Sequence, residues 1–169
     1  MTALRRATPD DAGKLALIGG ASFLETFAND HPGDATVDFI RAYHSESAWA
    51  ATLANAETIV WIVEEAAGCP IGYAVLSAGS LPGTTPDDAE LKRIYVLSRW
   101  HGTGIGRELF EVAEVEARAR RAARMVLSVY TRNARAIRFY EKQGFTVIGE
   151  AIFAEFPVEF ADKVMAKAL

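Results

Sequence analysis

The chain has 169 residues, half of them hydrophobic and a quarter charged, with a formal net charge of −4. That length suits one domain able to bury ~70% of its unfolded surface, and the even mixing of polar and apolar residues excludes a disordered or repetitive chain. The acidic balance speaks against a nucleic-acid binder, which usually carries a basic face, and no apolar run approaches the ~18 residues of a membrane span.

The first residues, MTALRRATPDD, contain no apolar core of signal-peptide length, and the single cysteine, Cys69, cannot form an internal disulfide. Both fit a reducing, cytoplasmic location. Ala3 to Thr8 reads as a first strand, and Pro9-Asp10-Asp11 starts a helix that runs to about Asn29. Within it the adjacent Gly19 and Gly20 weaken helix propensity and mark a place for an interruption. Asn29 to Gly33 is a turn. Ala35 to Asn55 carries Val37, Ile40, Tyr43 and Trp49 at helical spacing and reads as helix, in one piece or two. Thr58 to Ala66 and Ile71 to Gly79 are rich in β-branched and aromatic residues and form a hairpin, with Cys69 as a small turn residue between them.

After a turn-rich loop, Glu90 to Leu97 makes a central strand that leads into His-Gly-Thr-Gly-Ile-Gly, residues 101–106. From Ile105 to about Arg121, Ile105, Leu109, Val112, Ala113 and Ala117 form one apolar stripe. Glu114 with Arg118 and Glu116 with Arg120 stand four apart in the favourable order, and the basic run 118–124 ends the helix where cations complement its dipole. Residues 125–131 are a strand, Asn133 caps a helix that reaches Gln143, and Gly144 stops it in the left-handed conformation with Phe145 packing back. Residues 146–156 and 161–169, flanking Pro157, close the chain as a hairpin-like pair. Hairpin first, then strands alternating with helices, indicates a mixed α/β sheet. His31 and His44 read as surface residues, and the three histidines lack metal-ligand spacing, so no metal is expected.

The glycine loop carries the chemistry. A dinucleotide fingerprint needs a third glycine where Arg107 stands, and a Walker loop needs Gly-Lys-Ser or Gly-Lys-Thr, which does not occur. What remains is strand, glycine loop and amphipathic helix, in which the N–H groups of residues 102–107 can converge on an anion at the positive end of the helix. A tight turn without a ligand is the plain alternative.

Taken together, the strand LKRIYV, the loop HGTGIGREL and the segment NARAIRFYEKQGF resemble the signature of the GNAT superfamily of acetyl-CoA-dependent N-acetyltransferases. The family's pyrophosphate loop runs Gln or Arg, two residues, Gly, one residue, Gly or Ala. Here His101 stands first, a departure, with Gly104 and Gly106 as the glycines. The early ETF, the stretch YHSESAW and the ending DKVMAKAL are also similar to the PaiA-like bacterial branch, which includes polyamine acetyltransferases.

The resemblance implies one N-acetyltransferase domain over residues 1–169 and an α/β (α+β) GNAT fold, a central mixed, mostly antiparallel sheet of six to seven strands with helices on both faces. It implies acetyl-CoA as co-substrate. The backbone of Ile94, Tyr95 and Val96 would bind the acetyl carbonyl and pantetheine amides, and His101, Gly102, Thr103, Gly104, Ile105, Gly106 and Arg107 the pyrophosphate, with Asn133 contacting the cofactor as well as capping its helix. Tyr140 matches the general-acid position; a phenol with pKa near 10 stays protonated at neutral pH and can protonate a departing thiolate. The alternative for Tyr140 is a buried aromatic with a bonded hydroxyl. Glu90 falls where the histone-acetylating branch has its catalytic base; the alternative is a solvated charge at a strand start.

Glu25, Asp30, Asp34, Asp38 and Glu46 lie where the acceptor should enter, which would suit a polycation. The expected activity is acetyl transfer to a primary amine of a small molecule, a polyamine among the candidates. Transfer to a protein N-terminus or lysine, and a non-catalytic acyl-CoA-binding module, are the alternatives. No nucleic-acid or membrane partner is expected, and a homodimer is compatible with the family.

Overall fold

A computed structural model describes residues 1–153 and 159–169. In chain order its elements are β1 (Ala3–Arg6), α1 (Ala12–Phe27), α2 (Gly33–Tyr43), α3 (Glu46–Ala54), β2 (Ile59–Glu64), β3 (Pro70–Ala78), β4 (Ala89–Val96), α4 (Ile105–Ala119), β5 (Arg124–Tyr130), α5 (Ala134–Lys142), β6 (Thr146–Phe153) and β7 (Phe160–Ala168). The strands hydrogen-bond in the order β1-β2-β3-β4-β5-β7-β6, seven among the described residues, the upper end of the expected range. β1–β2, β5–β7 and β6–β7 are antiparallel, whereas β4 and β5 run parallel, with Ala89 opposite Met125 and Glu90 opposite Val126. A parallel neighbour needs a crossover between the two strands, and α4 lies in that connection. The chain folds as two compact units, Met1–Val75 with Arg93–Ala113, and Leu76–Lys92 with Glu114–Leu169.

In the first unit the start of α1 is set by charge. Arg5 donates to both Asp11 carboxylate oxygens at 2.7 Å and to Glu64 at 2.8 Å, Lys14 also pairs with Glu64, and the Thr8 N–H donates to Asp11 at 2.8 Å. Asp11 and Glu64 are buried, and these partners hold both carboxyls below the usual carboxylate range, Arg5 doing most for Asp11 and Lys14 most for Glu64.

α1 then runs unbroken through Gly19 and Gly20, so the expected interruption is absent. The reason is packing: a Cβ on Gly19 would lie 2.2 Å from His44 Nδ1, so this glycine serves a side chain that presses on the helix. His44 is accordingly only 3% exposed, which corrects the expectation of a surface histidine; His31 is half-buried against Phe23 and Phe27. The Ala35–Asn55 stretch resolves into two helices because Ser45 caps the second, its Oγ accepting from the Ala48 N–H. The core of this unit joins Leu15 and Ile18 of α1, Trp49 of α3, Val60 and Ile62 of β2, and Tyr73 and Val75 of β3, with Tyr95 packed against them.

The second unit is built on the β5–β7–β6 ladder, whose register shifts between Val147 and Gly149. Met125, Val126 and Leu127 of β5 and Val164 and Met165 of β7 are fully buried, as their uninterrupted apolar run implies. Arg124 grips the buried Asp88 through two hydrogen bonds, and Lys167 pairs with Glu114 at 2.6 Å. Glu114–Arg118 and Glu116–Arg120 form at 3.0 Å, as their spacing predicts. The end of the expected strand 146–156 falls at 154–156, outside the described residues. Among the described residues no helix is long and apolar enough to cross a membrane, and no group of three metal-ligating side chains is placed to hold an ion.

Candidate functional site

The residues singled out in the sequence fall into a group in each unit. In the first, β4 reaches Ile94, Tyr95 and Val96, which are half-buried although the strand lies inside the sheet, and a 3-10 turn at Ser98–Trp100 leads into the glycine loop. Glu25 of α1 fixes this junction, its carboxylate accepting from the Ser98 N–H at 2.9 Å and from the Ser98 hydroxyl. Trp100 Nε1 donates to Glu65 at 2.9 Å, and His101 Nε2 donates to the Val96 carbonyl at 2.7 Å. His101, the irregular letter of the motif, therefore ties the loop to the end of β4.

Gly102 and Gly104 have φ of 79° and 99°, a region that L side chains enter at a cost of ~1–2 kcal/mol. Nothing lies within 4 Å of where a Cβ would stand on Gly102, Gly104 or Gly106, so the three glycines border open space. The Arg107 and Glu108 N–H groups bond to the Gly104 carbonyl, whereas those of Gly102, Gly104, Ile105 and Gly106 have no acceptor among the described residues. Orphan N–H groups at the first turn of a 15-residue helix make a cradle for an anion, stabilised further by the helix dipole. Arg107 is 72% exposed and paired with Glu111 at 2.7 Å. An exposed pair of this kind contributes ~0.2–1 kcal/mol, so a phosphate can replace its partner at small cost.

In the second unit Glu90 is 5% exposed, not solvated as one reading of the sequence held. Its Oε2 accepts from the Ser80 N–H at 2.7 Å and from the Ser80 hydroxyl at 2.8 Å, while Lys92 Nζ stands 3.5 Å from Oε1. Charge-assisted bonds of this kind are worth ~1.5–3 kcal/mol each, so Glu90 also clasps the loop that follows β3. Asn133 caps α5, its Oδ1 accepting from the Ala136 N–H at 3.1 Å. Tyr140, on the buried stripe of α5 with Ile137, meets Phe139 and Phe145 edge-on at ring distances of 5.4 and 5.8 Å. Gly144, at φ 93°, turns the chain so that the Phe145 N–H reaches the Tyr140 carbonyl, which seats the tyrosine.

Two residues escaped sequence reasoning. Glu25 counted only as one acid among several. Arg93 of β4 stood unremarked in LKRIYVL, although strand alternation places it on the face of Leu91 and Tyr95, opposite to Lys92.

The family model described as acetyltransferase (GNAT) matches residues 22–145, well over half of the chain. An uncharacterized N-acetyltransferase of Mycobacterium tuberculosis is 29% identical over 159 residues, covering 94% of this chain and 98% of that protein. Among solved structures, the PaiA N-acetyltransferase of Thermoplasma acidophilum, in complex with coenzyme A, superposes with a TM-score of 0.77 at 20% identity over 100% of this chain and 99% of that one. The yncA protein of Salmonella typhimurium, solved with its cofactor acetyl-CoA, gives a TM-score of 0.71 at 26% identity over 100% and 94%.

Proposed function

Because the chain belongs to the GNAT acetyltransferase family, whose reaction uses acetyl-CoA as co-substrate, we propose that it moves the acetyl group to a primary amine of a small molecule. The observation that carries this reading is the glycine loop. Left-handed Gly102 and Gly104, open space at all three glycines and four orphan N–H groups at the head of α4 suit a pyrophosphate. Coenzyme A in the PaiA and yncA protein structures supports the same assignment. Arg107 would exchange Glu111 for a phosphate oxygen, the Ile94–Val96 backbone would receive the pantetheine arm and acetyl carbonyl, and Asn133 would contact the cofactor from the cap of α5.

In the reaction the amine nitrogen forms a bond to the acetyl carbon and the carbon–sulfur bond breaks. Tyr140 would hand its phenolic proton to the departing thiolate, which is similar to it in acidity and so takes the proton without a large penalty. The attacking amine must shed a proton, and Glu90 is the proposed acceptor. A buried carboxylate on the strand that leads to Ile94 supports that role; the two hydrogen bonds it accepts from Ser80 support the structural one. The five acids considered for a polycation give the polyamine reading little, since Glu25 is committed to Ser98 and Asp38 faces Arg41 at 3.9 Å.

Thiol release from acetyl-CoA over a panel of amines tests the reading. Tyr140→Phe should lower kcat by about 100-fold with the KM for acetyl-CoA unchanged. An unchanged kcat would remove Tyr140 as the acid, and binding of acetyl-CoA with no release for any amine would leave only a binding module.

A further inference from the structure

On β4 in the first unit one charged side chain is withdrawn from water without a carboxylate partner among the described residues. Arg93 is half-buried on the central strand, and no described carboxylate stands within ion-pair distance of it. Its guanidinium lies over the Trp49 ring, 5.5 Å from the centroid, so one face is closed by the indole and the N–H edge is left for another partner. Guanidinium groups withdrawn from water are ordinarily matched by an anion, because an unmatched one loses hydration and gains nothing in return.

The surroundings contribute donors and no negative charge. Trp49 is fully buried and its Nε1–H has no acceptor among the described residues. Tyr73 meets Trp49 edge-on at 5.2 Å and stacks on Tyr95 at 5.7 Å. His44, 5.9 Å from Trp49, is held neutral by its burial and by the nearby Arg93 charge, and so adds no second positive charge. The carboxylate of Glu25, on α1, is engaged at Ser98. Arg93 is also the immediate neighbour of Ile94, whose backbone the proposed function assigns to the acetyl group, so a ligand atom held by its side chain is within one arginine's length of the reacting nitrogen.

We propose that Arg93 is the anchor for an anionic group, a carboxylate or a phosphate, carried by the acceptor amine. The substrate class is then an amino acid or another amine bearing an acid group rather than a polycation. Arg93 binds two oxygens of that group through its free edge while the Trp49 indole fixes the plane of the fork, which sets how far the amine projects. This assignment rests on the acetyl-transfer reading; it names the acceptor for that same site.

Matched pairs of acceptors test it: ornithine against putrescine, phenylalanine against phenethylamine, and O-phosphoethanolamine against ethanolamine. The wild-type enzyme should favour the acid-bearing member of at least one pair. If only the phosphate pair responds, the anion is a phosphate; if only the amino acids respond, it is a carboxylate. Arg93→Gln should lower kcat/KM for the favoured member by about 10- to 100-fold, leave its counterpart without the acid group within about 3-fold, and leave the KM for acetyl-CoA unchanged. Arg93→Lys, which keeps the charge and loses the fork, should fall between, and serves if the glutamine variant fails to fold.

The same pairs are run as thermal shifts on protein saturated with acetyl-CoA, where stabilisation by a ligand needs no turnover. A shift with acid-bearing ligands that Arg93→Gln abolishes, in the absence of thiol release, would uphold the anchor and overturn the transfer reading. A wild-type preference for the members without an acid group, no shift with any acid-bearing ligand, or an equal loss for both members of a pair would overturn the anchor and leave Arg93 as a packing partner of Trp49.

Discussion

The loop before α4 and the helical cover around His44 use glycine for opposite reasons. At Gly102 and Gly104 the demand is conformational, a left-handed φ with open space where a Cβ would stand. At Gly19 the backbone is ordinary helix and the demand is room, since His44 Nδ1 occupies the place of a Cβ. The loop offers main-chain donors to a ligand and contributes little to the core. The cover is a buried aromatic cluster in which His44, Phe23, Phe39 and Trp49 touch ring to ring. The comparison separates two kinds of requirement: one that the residue itself carries, and one that exists only when a distant side chain arrives.

Acid should break the cover first. Burial, with Arg93 adding to it, pushes the His44 pKa down from 6.5 to about 3. The folded protein keeps the ring neutral while the unfolded chain binds a proton as pH falls below 6.5. Between pH 6.5 and 3 the unfolded state therefore holds more protons, and stability contributed by the neutral ring is lost by about 1.4 kcal/mol per pH unit, ~3–5 kcal/mol in all. Urea titrations at pH 7.5 and 4.5 should show this drop in the wild type and a smaller one in His44→Gln. Equal drops would take His44 out of the acid response.

Substitution at the two kinds of glycine sharpens the contrast. Gly19→Ala forces the His44 ring or the helix to move and should cost about 2–4 kcal/mol, read as a lower urea midpoint, with the KM for acetyl-CoA little changed. A wild-type midpoint would mean that the ring has room to spare. Gly104→Ala should reverse the pattern: about 1–2 kcal/mol of stability from the φ penalty, but a KM for acetyl-CoA raised about 10-fold as the cradle distorts. Gly106→Ala has the smallest expected effect, a gain in stability of up to about 1 kcal/mol, because the position lies in an α-helix and a Cβ there meets nothing. A large loss at Gly106 and none at Gly104 would place the anion elsewhere on the loop.

Much of the fold was legible because its signals are local. The α4 stripe, the Asn133 cap, the Gly144 stop and the β2–β3 strands are periodicities and turn chemistry that act within a few residues. The boundary between α2 and α3 was half-legible, since Ser45 caps the second helix but no breaker ends the first. The Gly19–Gly20 pair misled because propensity is a weak prior that tertiary packing overrides. At the candidate site the sharp turn of the loop was legible in its glycines, two of which take left-handed torsions, whereas the setting of Glu90 was not: its clasp on Ser80 depends on the path of a loop ten residues earlier. Arg93 could have been flagged by strand alternation, but not its lack of a carboxylate, which is a property of everything packed around it.

By itself, then, the order of residues determined the strand, glycine loop and helix, and through the family they mark the acetyl-CoA co-substrate, because glycine torsions, helix ends and amphipathic stripes are set by near neighbours. Only the tertiary structure decided that His44 is buried and neutral, that Glu25 is engaged at Ser98, and that a half-buried arginine lies over Trp49 with no carboxylate partner among the described residues. Those are statements about solvation and distance between segments far apart in the chain, and such energies do not exist until the segments meet.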